Sequence, residues 1–134
     1  MADIMKLKID FTDFSINNKV EIQDIYNSVR YWSQPDFSYK KRVHIYDDKN
    51  NEIGYVQYII LSSQDEVLYF DKNNKPIDIK DYKVTKYTSE LSYKLEYNES
   101  EVASINLVDN VCEIDIFDET HINNCLLKIY GEMN

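Results

Sequence analysis

The sequence predicts an α+β fold: a mainly antiparallel β-sheet, a meander of hairpins that is strongly curved or barrel-like, with one N-terminal amphipathic helix packed on it and a short C-terminal helix. Apolar residues alternate with polar ones along most of the chain, as in strands with one buried face. One early stretch has the helical period instead, and turns rich in Asn and Asp separate the alternating segments. At 134 residues, 43% hydrophobic and 29% charged, the chain 1–134 is expected to form a single domain.

The first strand is expected from Met5 to about Phe14, because Leu7, Ile9 and Phe11 alternate with charged residues. Those charges interrupt the apolar run that a signal peptide needs. Nor does the chain contain an apolar stretch of transmembrane length. We therefore expect a cytoplasmic protein without a membrane span.

The N-terminal helix is predicted at Lys19–Trp32. Asn18, followed three residues later by Glu21, fits a helix capping box, and Pro35 lies just beyond the C-terminal end. At helical spacing, the apolar residues of this stretch would share one face: Ile22, Ile25, Tyr26, Val29 and Trp32.

Two hairpins of one type are predicted next. In "RVHIYDDKNNEIGYVQYIIL", Asn50 and Asn51 suit the turn of a strand-turn-strand unit, and "EVLYFDKNNKPIDI" repeats it, with Asp71–Asn74 matching Asp48–Asn51. These twin hairpins, with an aspartate before the turn, resemble those of the tubby-like and LURP-one-related β-barrels over about Val43–Ile105. The resemblance implies a fold and carries no functional residue.

The alternation continues through Leu91–Tyr97, Ala103–Leu107 and Cys112–Ile116, which extends the meander. Turns are expected at Asn98–Ser100 and at Asp109 with Asn110.

The last segment fits two structures. Leu127 and Ile129 alternate with polar neighbours as in a strand. A helix opened by Asp118 and closed by Gly131 is favoured, with a face made of Ile122, Cys125, Leu126 and Ile129.

Several chemistries are not expected. Two glycines in the whole chain leave no phosphate-binding Gly-rich loop. Cys112 and Cys125 lack C-x-x-C spacing and a histidine pair, so they are expected to be buried thiols and not zinc ligands. An EF-hand interpretation of "DDKNNEIG" fails, because Ile53 and Ile59 occupy the positions of the required glycine and glutamate. We expect no metal and no cofactor.

Catalysis is not expected either. His44 lies in a predicted strand and His121 lies near a turn, and no nucleophile or catalytic motif flanks them. The chain is therefore predicted not to be an enzyme.

The acidic run Glu96–Glu119 is the candidate functional site. It holds eight carboxylates and no Lys or Arg, whereas residues 1–94 hold 15 acidic and 14 basic residues, so the run accounts for most of the net charge of -9. Strand alternation points its mid-strand acids to solvent, where they either form a docking face or only keep the protein soluble. The predicted partner-binding residues are Glu96, Glu99, Glu101, Asp109, Glu113, Asp115, Asp118 and Glu119, with Phe117 as an apolar anchor.

The expected partner is a basic protein surface, because the net charge of -9 opposes direct binding to nucleic acid. The sequence thus predicts a small inhibitor or antagonist: a phage anti-defence protein that mimics nucleic acid, as anti-CRISPR proteins do, or an immunity protein that neutralises a cationic toxin. The bias towards Lys, Asn, Ile and Tyr indicates a bacterial or phage source. The alternative is a β-barrel or curved-sheet module that holds a small apolar or lipid ligand in a cavity lined by Trp32 and tyrosines.

Overall fold

The computed structural model describes residues 4–10, 19–36, 41–60, 65–79, 81–86 and 92–132. These residues form ten strands, one 3₁₀ turn (Glu119–His121) and one helix, α1 (Ile122–Glu132). The strands are β1 (Met5–Asp10), β2 (Val20–Asp24), β3 (Val29–Asp36), β4 (Arg42–Asp47), β5 (Glu52–Ile60), β6 (Asp65–Asp71), β7 (Tyr82–Lys86), β8 (Ser92–Tyr97), β9 (Ser100–Val108) and β10 (Val111–Ile116).

All ten strands belong to one antiparallel sheet in the order β6-β5-β4-β3-β2-β1-β10-β9-β8-β7. Two meanders therefore meet where β1 pairs with β10, with Met5 opposite Ile116 and Asp10 opposite Val111. The strands β6 and β7 follow each other in the chain but form the two edges of the sheet. The predicted antiparallel sheet is confirmed.

Helix α1 lies inside the curve of this sheet. On edge strand β6, the ring of Tyr69 lies 5.8 Å from Lys128 Nζ on the helix. On edge strand β7, the hydroxyl of Tyr82 accepts a hydrogen bond of 3.2 Å from Asn124 Nδ2. Because both edges contact one helix, the sheet must curve around it. The helix is accordingly buried on more than one face. Its fully buried residues are Cys125, Leu126, Leu127, Ile129 and Tyr130.

The predicted N-terminal helix is wrong. The stretch 19–32 forms β2, a turn and the first part of β3, and the proposed cap Asn18 lies outside the described residues. Ile22 is fully buried, but Ile25 and Tyr26 are exposed, so the apolar residues do not share a face. Among the described residues the α-helix is the C-terminal one, and its favoured prediction over a strand is confirmed.

A repeated turn explains why the chain reverses here. Asp24, Asp47 and Asp71 each precede, by three residues, an asparagine with positive φ: 61° at Asn27, 65° at Asn50 and 62° at Asn74. In every copy the aspartate carboxylate accepts the backbone N–H groups two and four residues later, at 2.8 to 3.0 Å. Such a local network favours a turn over a helix.

The second and third copies are the turns of the predicted twin hairpins. The equivalent positions in the structure differ by one residue from those obtained by aligning the identical residues of the two segments. Asp71 corresponds to Asp47, and not to Asp48. After the third turn, the chain continues beside β6 through a bridge between Phe70 and Pro76.

Two further strands differ from the sequence prediction. Strand β1 ends at Asp10, and the rest of the predicted Met5–Phe14 strand lies outside the described residues. Strand β7 has no counterpart in the prediction. In the described part of the chain, no helix has the length and apolarity needed to cross a membrane.

Candidate functional site

The candidate site lies at the end of the sheet where α1 begins. We call it the helix-entry end. The antiparallel register places the first residues of β1 beside the last residues of β10 and of β2 at this end. The turn between β8 and β9 also lies here, because the first residues of β9 pair with the last residues of β8. A rim of short turns and strand ends results.

Part of the predicted acidic run gathers on this rim. Glu96 lies opposite Glu101 on the neighbouring strand, and Glu99 occupies the intervening turn. The backbone N–H of Phe117 donates to the Val102 carbonyl oxygen at 2.9 Å, which brings the end of β10 to the same place. Asp81 lines a groove with Glu96 and Glu99, and the acids that follow Phe117 in the chain lie next to β9. We call this group of carboxylates the acidic corner: Asp81, Glu96, Glu99, Glu101, Asp118 and Glu119.

Two lysines lie next to Glu96 in this corner. Lys94 Nζ lies 3.1 Å from Glu96 Oε1, and Lys83 lies opposite Glu96 on β7. Among the described residues, no base comes within ion-pair distance of Glu99 or Glu101, and both are exposed. Both carboxylates can be approached from solvent.

The mid-strand acids Glu113 and Asp115 have a different environment. They lie on the outer face of β10, directly opposite Lys8 and Lys6 of β1. Lys6 Nζ is 3.4 Å from Asp115 Oδ1. Alternation along one strand could not reveal these lysines, because they come from a strand more than a hundred residues earlier in the chain.

Asp109 is separated from the rest. It occupies the tight turn between β9 and β10, with φ 56°, at the end of the sheet opposite the acidic corner. The predicted site residues thus divide into a corner group, a mid-strand pair and one distant turn residue.

Asp118 also organises the entry to the helix. Its carboxylate accepts hydrogen bonds from the Thr120 hydroxyl at 2.7 Å and from the Thr120 backbone N–H at 3.0 Å, and these bonds lower the pKa of Asp118. The same carboxylate lies 3.7 Å from His121 Nε2. It therefore remains ionised at neutral pH and fixes the 3₁₀ turn.

His121 joins Asp118 to a buried tyrosine. The other ring nitrogen, Nδ1, lies 2.5 Å from the hydroxyl of Tyr82, which also receives the bond from Asn124. An Asp-His-Tyr chain resembles a nucleophile with its base, but burial raises the pKa of the Tyr82 hydroxyl. A raised pKa disfavours the tyrosinate that a nucleophile would need. The cluster connects β7 to the helix entry.

The outer face of β3–β6 carries an aromatic ladder that the sequence prediction missed. Its rings are Trp32, Tyr46, His44, Tyr55 and Phe70, and the contacts run from a stacked pair 4.3 Å apart, Trp32 with Tyr46, to another 4.7 Å apart, Tyr55 with Phe70. His44 Nδ1 also contacts Glu52. The sequence prediction lacked the register between strands, which brings together the pairs Trp32 with Tyr46, His44 with Tyr55, and Tyr55 with Phe70.

This arrangement bears on the apolar-ligand alternative. Trp32 lies on the outer face and not towards the interior, where the fully buried side chains of α1 occupy the space. The grooves lined by described residues, such as that between Asp81, Lys83 and Glu99, are open and contain charged side chains. In the part of the chain that the structure covers, no three His, Cys, Asp or Glu residues are placed to hold a metal ion.

No protein-family model matches the chain, and no curated protein matches it. Among solved structures, it is similar to the X-ray structure of a protein from Arabidopsis thaliana, with a TM-score of 0.60 and 12% sequence identity. The likeness covers 98% of this chain and 92% of that one. At this identity it shows the fold alone, so the resemblance to tubby-like and LURP-one-related β-barrels stays a prediction.

Proposed function

We propose that this protein is a non-enzymatic inhibitor or antagonist that binds a basic partner protein through its acidic corner. The partner is either a nucleic-acid-binding effector, as for a phage anti-defence protein, or a cationic toxin neutralised by an immunity protein. Both roles place it in the cytoplasm with its target.

One observation carries the proposal: separate segments of the chain bring their carboxylates to one corner. Asp81 precedes β7 and Glu96 lies next to the last residue of β8. Glu99 lies in the following turn, Glu101 is the second residue of β9, and Asp118 follows β10. Concentrated charge of one sign accelerates association with an oppositely charged protein and selects against acidic competitors.

The experiment uses a phage-displayed library of random peptides, panned on the immobilised wild-type protein at low salt. We expect enriched peptides to carry Lys and Arg, and their affinity to fall as salt is raised, because salt screens exposed charges. The corner variant combines Glu99→Lys with Glu101→Lys and should weaken binding by about tenfold or more.

A matched control combines Glu21→Lys with Glu66→Lys. Both residues are exposed and lie at the opposite end of the sheet, and the change in net charge is the same. Peptides that bind the corner variant and the control equally well, or that ignore salt, would refute the acidic corner as the docking site.

A further inference from the structure

The tip of the first Asp-x-x-Asn turn is unusually apolar for a surface. Ile25 is 64% exposed and Tyr26 is 81% exposed, and Ile4, next to β1 at the same end of the sheet, is 51% exposed. We call Ile25 and Tyr26 the apolar tip. Exposed aromatic and aliphatic side chains that lie together are typical of binding surfaces.

The protein contains its own control for this tip. The second and third turns have the same hydrogen bonds and the same positive-φ asparagine, yet they carry Asp48 with Lys49 and Lys72 with Asn73 at the two tip positions. The turn therefore forms with polar tip residues. Ile25 and Tyr26 are not needed to fold it, and exposing them to water brings no benefit to the isolated chain.

The apolar tip lies on the same rim as the acidic corner. From β2 the rim passes to the first residues of β1, then to Phe117 after β10, and then to Glu101 on β9. These are three strand spacings, or about 15 Å. Protein interfaces of ordinary size extend further than this, so one partner can cover both features.

We propose that Ile25 and Tyr26 are the apolar anchor of the partner interface, and that the partner presents an apolar pocket bordered by Lys and Arg. Charge complementarity selects this occupant. The groove beside Ile25 contains Asp24, Glu113 and Asp115 together with Lys6 and Lys8, and the acidic corner follows further along the same rim. Tyrosine is enriched among the residues that dominate binding energy, and charged residues usually surround such anchors. This inference rests on the proposed function but concerns different residues.

The test variant combines Ile25→Asp with Tyr26→Lys. It turns the first tip into the Asp-Asp-Lys-Asn sequence of the second turn, so the turn is preserved and the net charge does not change. The control combines Asp48→Asn with Lys49→Gln in the second turn, also without a change in net charge. Circular dichroism and thermal unfolding should show both variants folded like the wild type.

The probe is again the peptides enriched from the displayed library on the wild-type protein. We expect them to contain an apolar residue beside the basic ones. Their affinity should fall about tenfold or more on the Ile25→Asp, Tyr26→Lys variant and stay within about twofold on the control. The remaining binding should keep the salt dependence of the wild type, since the acidic corner is intact.

The two proposals fail differently. Peptides that lose affinity for the corner variant but bind the tip variant like the wild type would overturn the anchor and leave the proposed function standing. Peptides indifferent to both variants, or no enriched peptides, would overturn both. A wild-type dimer in sedimentation that dissociates in the tip variant would assign the tip to self-association and overturn the basic partner.

Discussion

The hydroxyl of Tyr130, in the last turn of α1, donates a hydrogen bond of 2.9 Å to Ser33 Oγ on β3, and both residues are fully buried. The Tyr58 hydroxyl on β5 donates to the Tyr130 carbonyl oxygen at 3.0 Å. These bonds attach the C-terminal end of the helix to the wall of the sheet. The helix position is thus fixed by polar contacts as well as by apolar packing.

Replacing Tyr130 with Phe should lower the free energy of unfolding by about 1–2 kcal/mol, because Ser33 Oγ then loses a partner inside the core. Urea unfolding followed by circular dichroism measures the change. Ser33→Ala should cost about as much, and the double variant should cost clearly less than the sum, because both single changes remove the same bond. Additive effects would contradict this coupling.

The Asp-x-x-Asn turns should depend on their carboxylates. Asp47→Ala removes the acceptor of two backbone N–H groups and should lower the free energy of unfolding by about 1–2 kcal/mol. Asp47→Asn retains an acceptor oxygen and should cost less. The exposed neighbour is the control: Asp48→Ala should change stability by less than about 0.5 kcal/mol in the same denaturant titration. Equal losses for both alanine variants would argue against the turn network.

Asp24 should make the free energy of unfolding depend on pH in the acid range. Hydrogen bonds to its carboxylate, above all from the Ser28 backbone N–H, lower its pKa from the ordinary value of 3.8. A carboxyl group whose pKa is lower in the folded state stabilises the fold fully at pH values above its unfolded-state pKa. This stabilisation is lost as the pH falls through the folded-state pKa. Asp24→Asn cannot titrate, so its stability should fall less steeply below about pH 4 in denaturant unfolding at stepped pH. Parallel curves for the two proteins would contradict this role.

Gly54 should not tolerate a side chain. Its φ is 153°, and a Cβ there would lie 2.5 Å from the Phe70 carbonyl oxygen. Gly54→Ala should lower the free energy of unfolding by about 3 kcal/mol, since backbone of the neighbouring strand would have to move. At Gly131 a Cβ would lie 2.0 Å from the hydroxyl oxygen of Tyr69, so there a side chain, and not backbone, would have to move. Thermal unfolding should therefore show Gly54→Ala less stable than Gly131→Ala.

Both thiols should be inert in the folded protein. Cys112 and Cys125 are free and fully buried, and burial raises the pKa of each to about 12. A thiol reagent such as Ellman's reagent reacts with the thiolate, so labelling at neutral pH should be slow until denaturant unfolds the chain. Immediate release of two equivalents of the coloured thionitrobenzoate product from the native protein would show that the core around these residues opens.

Much of the sheet could be predicted from sequence, because its signals are local. Alternation of Cys112, Ile114 and Ile116 with Glu113 and Asp115 needs only the period of a strand, and the prediction of β10 is correct. The turns at Asp47 and Asp71 form through hydrogen bonds between a carboxylate and backbone N–H groups within five residues of one another. The first turn was missed because its apolar tip gave the surrounding residues a helical spacing.

Tertiary structure decided the rest, because those relationships join distant parts of the chain. Pairing of β1 with β10 puts Lys6 and Lys8 opposite Asp115 and Glu113, whereas no base in the described part of the chain forms an ion pair with Glu99 or Glu101 at the corner. The same long-range pairing brings the apolar tip onto that rim. Local pattern predicts many of the strands and turns, whereas the pairing of distant strands decides which charges lie opposite one another.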